Sequence, residues 1–318
     1  MLHNIKSNYI IKKIFKNLKN KKKLNIIKHN KRMLHILNIA QDHFKIYKIL
    51  EEFNIKYDLN IKDIDIKELS IIDKYIGNTG SKYLNKIGFK DLIKLDLCRN
   101  NLSDITTLEK VNFKELKELN LSDNQINDIN ALGKVDFKKL KILDLSYNKL
   151  LDISILGNVD FKELKELDIS YNELTDIFQL TKADFIELEE LNLCGNKIRN
   201  INILDKTNFI VLKELYLSNN IIADISVLER VEFKKIKVID LSYNFIKKIN
   251  VLEKINFKFL EELNLSYNKI SDINILKNVN FERLEKLNEL YLNNNRINSE
   301  KNSSIITYLK SKINKLYI

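Results

Sequence analysis

A repetitive α/β solenoid is the fold class that the 318-residue sequence predicts, and three periodic features predict it. A phenylalanine recurs every 24 residues, a short alternation of leucines and polar residues lies inside each unit, and an asparagine follows each alternation. Equal steps of this kind do not arise by chance, so the period decides the fold. The phenylalanines are Phe89, Phe113, Phe137, Phe161, Phe185, Phe209, Phe233, Phe257 and Phe281.

Each unit contains one predicted strand. In the second unit, FKELKELNLSDNQINDINALGKVD, Leu119 and Leu121 alternate with Asn120 and Ser122, the period-two pattern of a short strand with one buried face. A turn can bury about eight apolar side chains at about 1.5–3 kcal/mol each, whereas ordering costs about 1–2 kcal/mol for every residue. A single turn therefore cannot fold alone, and neighbouring turns must stack into a continuous array.

An asparagine lies where the chain turns away from each predicted strand. Its side-chain amide supplies both a donor and an acceptor, so it can bond backbone groups that would otherwise be buried without partners. We therefore predict a structural role for the whole column. The asparagines are Asn100, Asn124, Asn148, Asn172, Asn196, Asn220, Asn244, Asn268 and Asn295.

The stretches LKELNLSDNQINDI, LKILDLSYNKLLDI and LEELNLSYNKISDI resemble the L-x-x-L-x-L-x-x-N-x-L/I signature of the leucine-rich-repeat family. The Asp-Ile pair that follows, as at Asp128-Ile129, is similar to the SDS22-like and internalin-like class. Units of that class usually have about 22 residues, so the two extra residues leave the conformation of the convex side open. The resemblance implies a right-handed arc with a parallel sheet on its concave side, where protein ligands bind.

Four segments are predicted. Residues 1–58 form a basic helical module, residues 59–88 an N-terminal cap with a half repeat, residues 89–298 nine leucine-rich repeats, and residues 299–318 a C-terminal capping helix. An open end of the array would expose apolar surface, which explains the need for caps. In the tail SSIITYLKSKINKL, apolar residues up to Leu316 lie on one helical face after a serine N-cap.

The net charge of +11 is concentrated in the first segment. Residues 1–60 hold 14 Lys and Arg against 4 Asp and Glu, which leaves 40 against 39 for the rest of the chain. Apolar residues at helical spacing after Ser7 predict helices here. A plain helical cap is one interpretation, and a basic surface that contacts nucleic acid or a membrane is another.

The same segment also resembles the F-box, with IIKKIFKNL as an amphipathic first helix and a second helix around Leu24 and Ile27. The Leu-Pro opening and the Trp-bearing third helix of that module are absent. The resemblance implies a Skp1-type adaptor bound through residues 7–40. It makes substrate recognition within a ubiquitin ligase the alternative function.

Strand residues that point away from the buried leucines form columns on the expected concave face. Across four such columns, 11 acidic residues face two basic ones. This pattern favours a basic protein partner and disfavours nucleic acid, whose phosphates would be repelled; simple copying of repeats is the other interpretation. Tyrosines and departures from the repeat pattern carry the most information. The predicted partner-binding residues are Asp96, Ile142, Asp144, Tyr147, Asp168, Tyr171, Tyr216, Val238, Asp240, Tyr243, Tyr267 and Tyr291.

No catalytic, metal or cofactor site is predicted. All four histidines lie in the first 43 residues, and the glycines form no phosphate-binding loop. Cys98 and Cys194 lie four repeats apart, about 19 Å at the spacing of stacked strands, so they cannot form a disulfide and suit a reducing cytoplasm. Because no apolar run reaches about 18 residues, no membrane span or secretory signal is expected. We expect a non-catalytic protein-protein interaction module.

Overall fold

The computed structural model describes Lys13 and residues 41–318, with the side chains of residues 41–44 left aside. The F-box-like segment predicted at residues 7–40 lies outside the described residues, apart from Lys13. The first described element is helix α1, Gln41–Lys56. Phe53 on this helix stacks on Tyr83 of the following helix at a ring-centroid distance of 4.9 Å. Helix α1 therefore packs directly against the beginning of the repeat array.

One parallel sheet of eleven three-residue strands runs through the described part of the chain, in sequence order. Successive leucines pair across it, as in Leu119 with Leu143. This sheet confirms the predicted solenoid, an arc whose concave side is formed by the strands. The strands are β1 (Glu68–Ser70), β2 (Lys94–Asp96), β3 (Glu118–Asn120), β4 (Ile142–Asp144), β5 (Glu166–Asp168), β6 (Glu190–Asn192), β7 (Glu214–Tyr216), β8 (Val238–Asp240), β9 (Glu262–Asn264), β10 (Glu289–Tyr291) and β11 (Lys315–Tyr317).

The convex side, which the sequence left open, consists of short 3-10 helices. An aspartate just before each of several of these helices orders its first turn: Asp104 accepts the backbone N–H of Thr106 at 2.8 Å. Asp152 does the same for Ser154 at 2.7 Å. The 3-10 helices are Thr106–Lys110, Asn130–Lys134, Ser154–Gly157, Phe178–Thr181, Asn202–Lys206, Ser226–Glu229, Asn250–Glu253, Asn274–Lys277 and Phe281–Leu284.

The core lies between the sheet and the 3-10 helices, and the periodic apolar residues fill it. Leu119 of β3 and Leu121, which directly follows this strand, are buried. Phenylalanines of successive turns stack inside the array, as Phe113 does on Phe137 at a centroid distance of 6.4 Å. Each turn thus buries its apolar face mainly against its neighbours, as the energy balance of a single turn requires.

The asparagine column has the structural role that we predicted. Nδ2 of Asn124 donates to the Leu97 carbonyl of the preceding turn at 3.0 Å and to the Leu121 carbonyl of its own turn at 2.9 Å. Its Oδ1 accepts the backbone N–H of Asn100 and of Leu102 in the preceding turn. The two donor contacts and the acceptor contact of the Leu102 type recur from Asn148 to Asn295, so the column supplies partners for buried backbone groups and ties each turn to the one before.

At the N-terminal end, residues 59–88, predicted as a cap with a half repeat, contain a regular strand and a regular helix. Strand β1 pairs in register with β2, and helix α2, Gly77–Ile87, takes the place of a 3-10 helix. The stretch KELSIID matches KELNLSD of the second unit, but the offset between β1 and β2 is 26 residues rather than 24. That longer offset hid an additional turn of the solenoid.

At the C-terminal end, the capping helix is present but shorter than predicted. Helix α3 spans Ser303–Lys310, and Leu316, which we placed on the helix, lies in β11 instead. The segment NKLYI repeats NELYL at β10 after 26 residues. These residues form a strand and not a continuation of the helix, because β11 provides hydrogen-bond partners for the backbone of β10. Without β11, β10 would be an unpaired edge strand.

Candidate functional site

The concave face of the sheet contains every residue that the sequence singled out for partner binding. Each of these side chains is accessible: Tyr147, Tyr171, Tyr243 and Tyr267 are exposed, and the other eight are partly exposed.

The outward side chains of this face form three rows. The glutamate row occupies the first position of each strand, the central row occupies the third, and the rim row lies where the chain leaves the strand. The rim row is Arg99, Asp123, Tyr147, Tyr171, Gly195, Asn219, Tyr243, Tyr267 and Asn294.

A fourth column, which we had placed on the surface, is mostly inside. Ser122, Ser146, Ser170, Ser242 and Ser266 are buried. The reason is a local hydrogen bond, because each serine N–H donates to the carboxylate or amide oxygen of the central row two residues earlier, at 2.8 to 3.0 Å. The serines therefore orient the central row and are not available for contacts with a partner.

The middle of the glutamate row carries uncompensated negative charge. Glu166, Glu190 and Glu214 pair directly with one another across β5, β6 and β7, and like charges opposite each other destabilise a sheet. Among the residues that the structure describes, none of the three forms an ion pair. Burial, and then the Glu214 and Glu166 carboxylates, raise the pKa of Glu190 above its ordinary value. A bound cation would stabilise this part of the row.

The two ends of the glutamate row are neutralised within the chain. Lys94 contacts Glu118 at 2.7 Å, and Lys315 of β11 contacts Glu289 at 2.6 Å. The second contact was not predictable without β11, which places Lys315 beside Glu289. Among the described residues, the longest run of glutamates without an ion pair is therefore Glu166, Glu190 and Glu214, in the middle of the array.

Two positions of the glutamate row are apolar instead. Ile142 and Val238 are partly exposed and break the run of carboxylates in their turns. Val238 also borders a hollow of about 430 Å³. The other residues that line this hollow are Glu261, Glu262, Lys286, Asn288 and Glu289.

The central row combines aspartates with two tyrosines that reach back to the glutamate row. The Tyr216 hydroxyl donates to Glu214, and the Tyr291 hydroxyl donates to Glu289. Burial and the Glu214 hydrogen bond raise the pKa of Tyr216. These contacts hold two carboxylates in place. Tyr291 also stacks on Tyr317 of β11 at a centroid distance of 4.4 Å, so the row extends one strand further than we predicted.

The rim row has a left-handed backbone at every turn, with φ between 50° and 64°. Asparagine, aspartate and glycine tolerate this conformation, whereas bulky side chains rarely adopt it. The four tyrosines nevertheless occupy it in two stacked pairs. Tyr147 and Tyr171 lie 4.3 Å apart at 9° between ring planes, and Tyr243 and Tyr267 lie 4.1 Å apart at 8°.

Other chemistry has little support on this face. Burial raises the pKa of the Cys194 thiol to about 12, so the thiol stays protonated at neutral pH and is a poor nucleophile. In the described part of the chain, no cluster of His, Cys, Asp and Glu side chains could hold a metal ion. Within the same residues, every helix is too short or too polar to cross a bilayer.

Comparisons with family models identify the repeat. A model described as "Leucine rich repeat" matches residues 90–150, one described as "Leucine Rich repeats (2 copies)" matches residues 210–254, and a third, "Leucine Rich repeat", matches residues 163–177 and 258–273. A search of curated proteins found no significant match.

Solved structures share the fold. An internalin, InlF of Listeria monocytogenes, is 23% identical with a TM-score of 0.57, over 84% of this chain and 87% of that chain. Internalin C2 of the same organism is 23% identical with a TM-score of 0.51, over 77% and 92%. The plant peptide hormone receptor RGFR1, solved with RGF2, is 24% identical with a TM-score of 0.51, over 67% of this chain and 34% of the receptor chain. Together with the asparagine column and the one parallel sheet of the described residues, these matches show that the chain contains leucine-rich repeats and has the leucine-rich-repeat fold.

Proposed function

We propose that this protein is a non-catalytic interaction module that binds a basic protein segment on its concave face. Leucine-rich-repeat solenoids provide extended concave binding surfaces, and one structural neighbour is a receptor for a peptide hormone. The observation that carries the proposal is the run of Glu166, Glu190 and Glu214, whose charges have no cation in the described residues. A basic ligand would supply those cations, and the exposed tyrosines would add contact area at low entropic cost.

Three further observations fit this function. Every histidine lies at or before His43, so no histidine base can belong to a repeat. The acidic rows would repel phosphates, which argues against nucleic acid on this face. Cys98 and Cys194 are both free thiols, and a reducing cytoplasmic setting is our proposal for where the protein acts.

The test compares two triple variants that change the net charge equally. One carries Glu166→Gln, Glu190→Gln and Glu214→Gln on the concave face. The matched control carries Glu109→Gln, Glu229→Gln and Glu253→Gln on the convex 3-10 helices. Fluorescence anisotropy would measure the binding of labelled oligoarginine and oligolysine peptides, with oligoglutamate as the negative probe.

We expect the basic peptides to bind the native protein and the convex variant equally well, and to bind the concave variant about tenfold or more weakly. Oligoglutamate, which the basic residues 1–60 can attract, should bind the concave variant no more weakly than it binds the native protein. Equal affinity of the basic peptides for all three would place the contact elsewhere and overturn the proposal. So would a failure of the native protein to bind either basic peptide.

A further inference from the structure

Two turns of the array present the same pattern of three side chains across the concave face, an apolar residue, an aspartate and a tyrosine. The fourth strand and its rim position give Ile142, Asp144 and Tyr147, within KILDLSYN. The eighth strand gives Val238, Asp240 and Tyr243, within KVIDLSYN. In both turns an apolar residue replaces the glutamate that most other turns carry. Each turn therefore offers an apolar contact, a carboxylate and an aromatic ring in one line.

The carboxylates of these two turns differ from that of β5. Oδ1 of Asp144 accepts the backbone N–H of Ser146, and Oδ1 of Asp240 accepts the backbone N–H of Ser242, both at 2.9 Å. No described residue forms a hydrogen bond with Oδ2 of either aspartate. In the intervening Asp168, Oδ2 is occupied by Nδ2 of Asn192 at 2.9 Å. Among the aspartates followed by a rim tyrosine, only Asp144 and Asp240 keep an oxygen available within residues 45–318.

The tyrosine of each line is held by a second ring. Tyr171 stacks on Tyr147, and Tyr267 stacks on Tyr243. Tyr171 in turn lies against Gly195, where an added Cβ would come within 2.6 Å of its ring. The first pair is thus supported on its C-terminal side. A planar guanidinium can stack on a tyrosine ring while it donates to a nearby carboxylate.

We propose that Ile142–Asp144–Tyr147 and Val238–Asp240–Tyr243 are two equivalent subsites that bind two arginines of one extended peptide. This inference rests on the proposed function and names the ligand's pattern. The subsites are four strands apart, about 19 Å at the usual strand spacing. In an extended peptide, residues i and i+6 project on the same side and lie about 20 Å apart. An apolar residue of the peptide next to each arginine would contact Ile142 in the first subsite and Val238 in the second.

The test uses labelled peptides that carry two arginines at spacings of two, four, six and eight residues, and a peptide with one arginine. Anisotropy titrations should show the tightest binding at six residues, about tenfold or more above the single-arginine peptide, because the second contact becomes intramolecular. The variants are Tyr147→Asn and Tyr243→Asn, since asparagine occupies the same rim position with the same backbone at Asn219. Each should reduce the six-residue peptide to the affinity of the single-arginine peptide.

Tyr75→Asn is the matched control, because Tyr75 is exposed and left-handed (φ 49°) but lies outside the rim row. It should bind like the native protein, and thermal unfolding should show that the three variants stay folded. If oligoarginine binds but affinity does not depend on spacing, or the two rim variants bind like the control, the paired subsites are overturned and the proposed function stands. If neither oligoarginine nor the spaced peptides bind, both are overturned.

Discussion

Glu189 and Glu190 are neighbours in the chain, yet their side chains belong to opposite electrostatic arrangements. Lys213 and Lys165, from the two adjacent turns, both contact the Glu189 carboxylate, Lys165 at 2.9 Å. Their hydrogen bonds lower the pKa of Glu189 to about 2. Positive, negative and positive charges therefore alternate from turn to turn at this position.

One residue further along the chain, Glu190 lies between Glu166 and Glu214. Its pKa shifts upward, because burial and two like charges both oppose ionisation. The same repeated backbone therefore supports either kind of row. Alternating charges are neutralised inside the molecule, whereas a uniform row keeps its charge for a partner.

Charge reversal should have the largest effect, and it should affect binding. Glu190→Lys places a cation where the ligand's cation would lie, so we expect about tenfold or greater loss of affinity for oligoarginine. Glu189→Lys makes the same change of charge one residue away and should cost much less. Anisotropy titrations of the two variants measure the difference, and equal losses would show that only the overall charge matters.

The second effect concerns stability and has the reverse order. Glu189→Lys removes two surface ion pairs and leaves lysine at this position in six successive turns, so we expect the free energy of unfolding to fall by about 1 kcal/mol. Glu190→Lys relieves repulsion and should leave stability unchanged or raise it by about 0.5 kcal/mol. Urea denaturation of both variants checks these values. If the Glu190→Lys variant is less stable than the native protein, repulsion among Glu166, Glu190 and Glu214 does not destabilise the fold.

The smallest effect is the pH dependence of stability. Glu189 has a lowered pKa, so its contribution is present above its unfolded value near 4.5 and is lost as the pH falls towards 2. Glu190 has a raised pKa, so the folded state takes up a proton more readily and gains relative stability as the pH falls towards 4.5. In Glu189→Gln, the free energy of unfolding should therefore fall less steeply below pH 4.5 than in the native protein. In Glu190→Gln, the increase in this free energy as the pH falls towards 4.5 should be absent. If the free energies of unfolding of the two variants depend on pH in the same way, the predicted difference between Glu189 and Glu190 is wrong.

Much of the fold could be predicted because each repeated residue has one physical role. Buried leucines and phenylalanines show a period, and an asparagine after each strand has backbone partners to satisfy. Strands β1 and β11 were not predicted because each lies 26 residues from its neighbour and neither is followed by an asparagine of the column, although KELSIID and NKLYI retain the strand pattern. Both strand patterns become recognisable when the period is allowed to change by two residues.

The candidate site was predictable in composition but not in geometry. The sequence placed the tyrosines and acidic residues on one face, and the structure places them there. It could not show the left-handed rim, where Tyr147 and Tyr243 take a conformation more typical of asparagine. It also could not show which carboxylate oxygens are occupied, as Oδ2 of Asp168 is by Asn192. Those facts depend on side-chain orientation, which alternation along a strand does not determine.

The bonds of the asparagine column have a consequence for how such a protein can change length. Each asparagine bonds the turn before it through the same atoms, so removing one complete 24-residue unit would rejoin two equivalent junctions, whereas removing 23 would break the column. Distances along the concave face are therefore adjustable only in whole steps of about 4.8 Å. Gain or loss of a unit would retune the separation of two contact points and leave the chemistry of each intact.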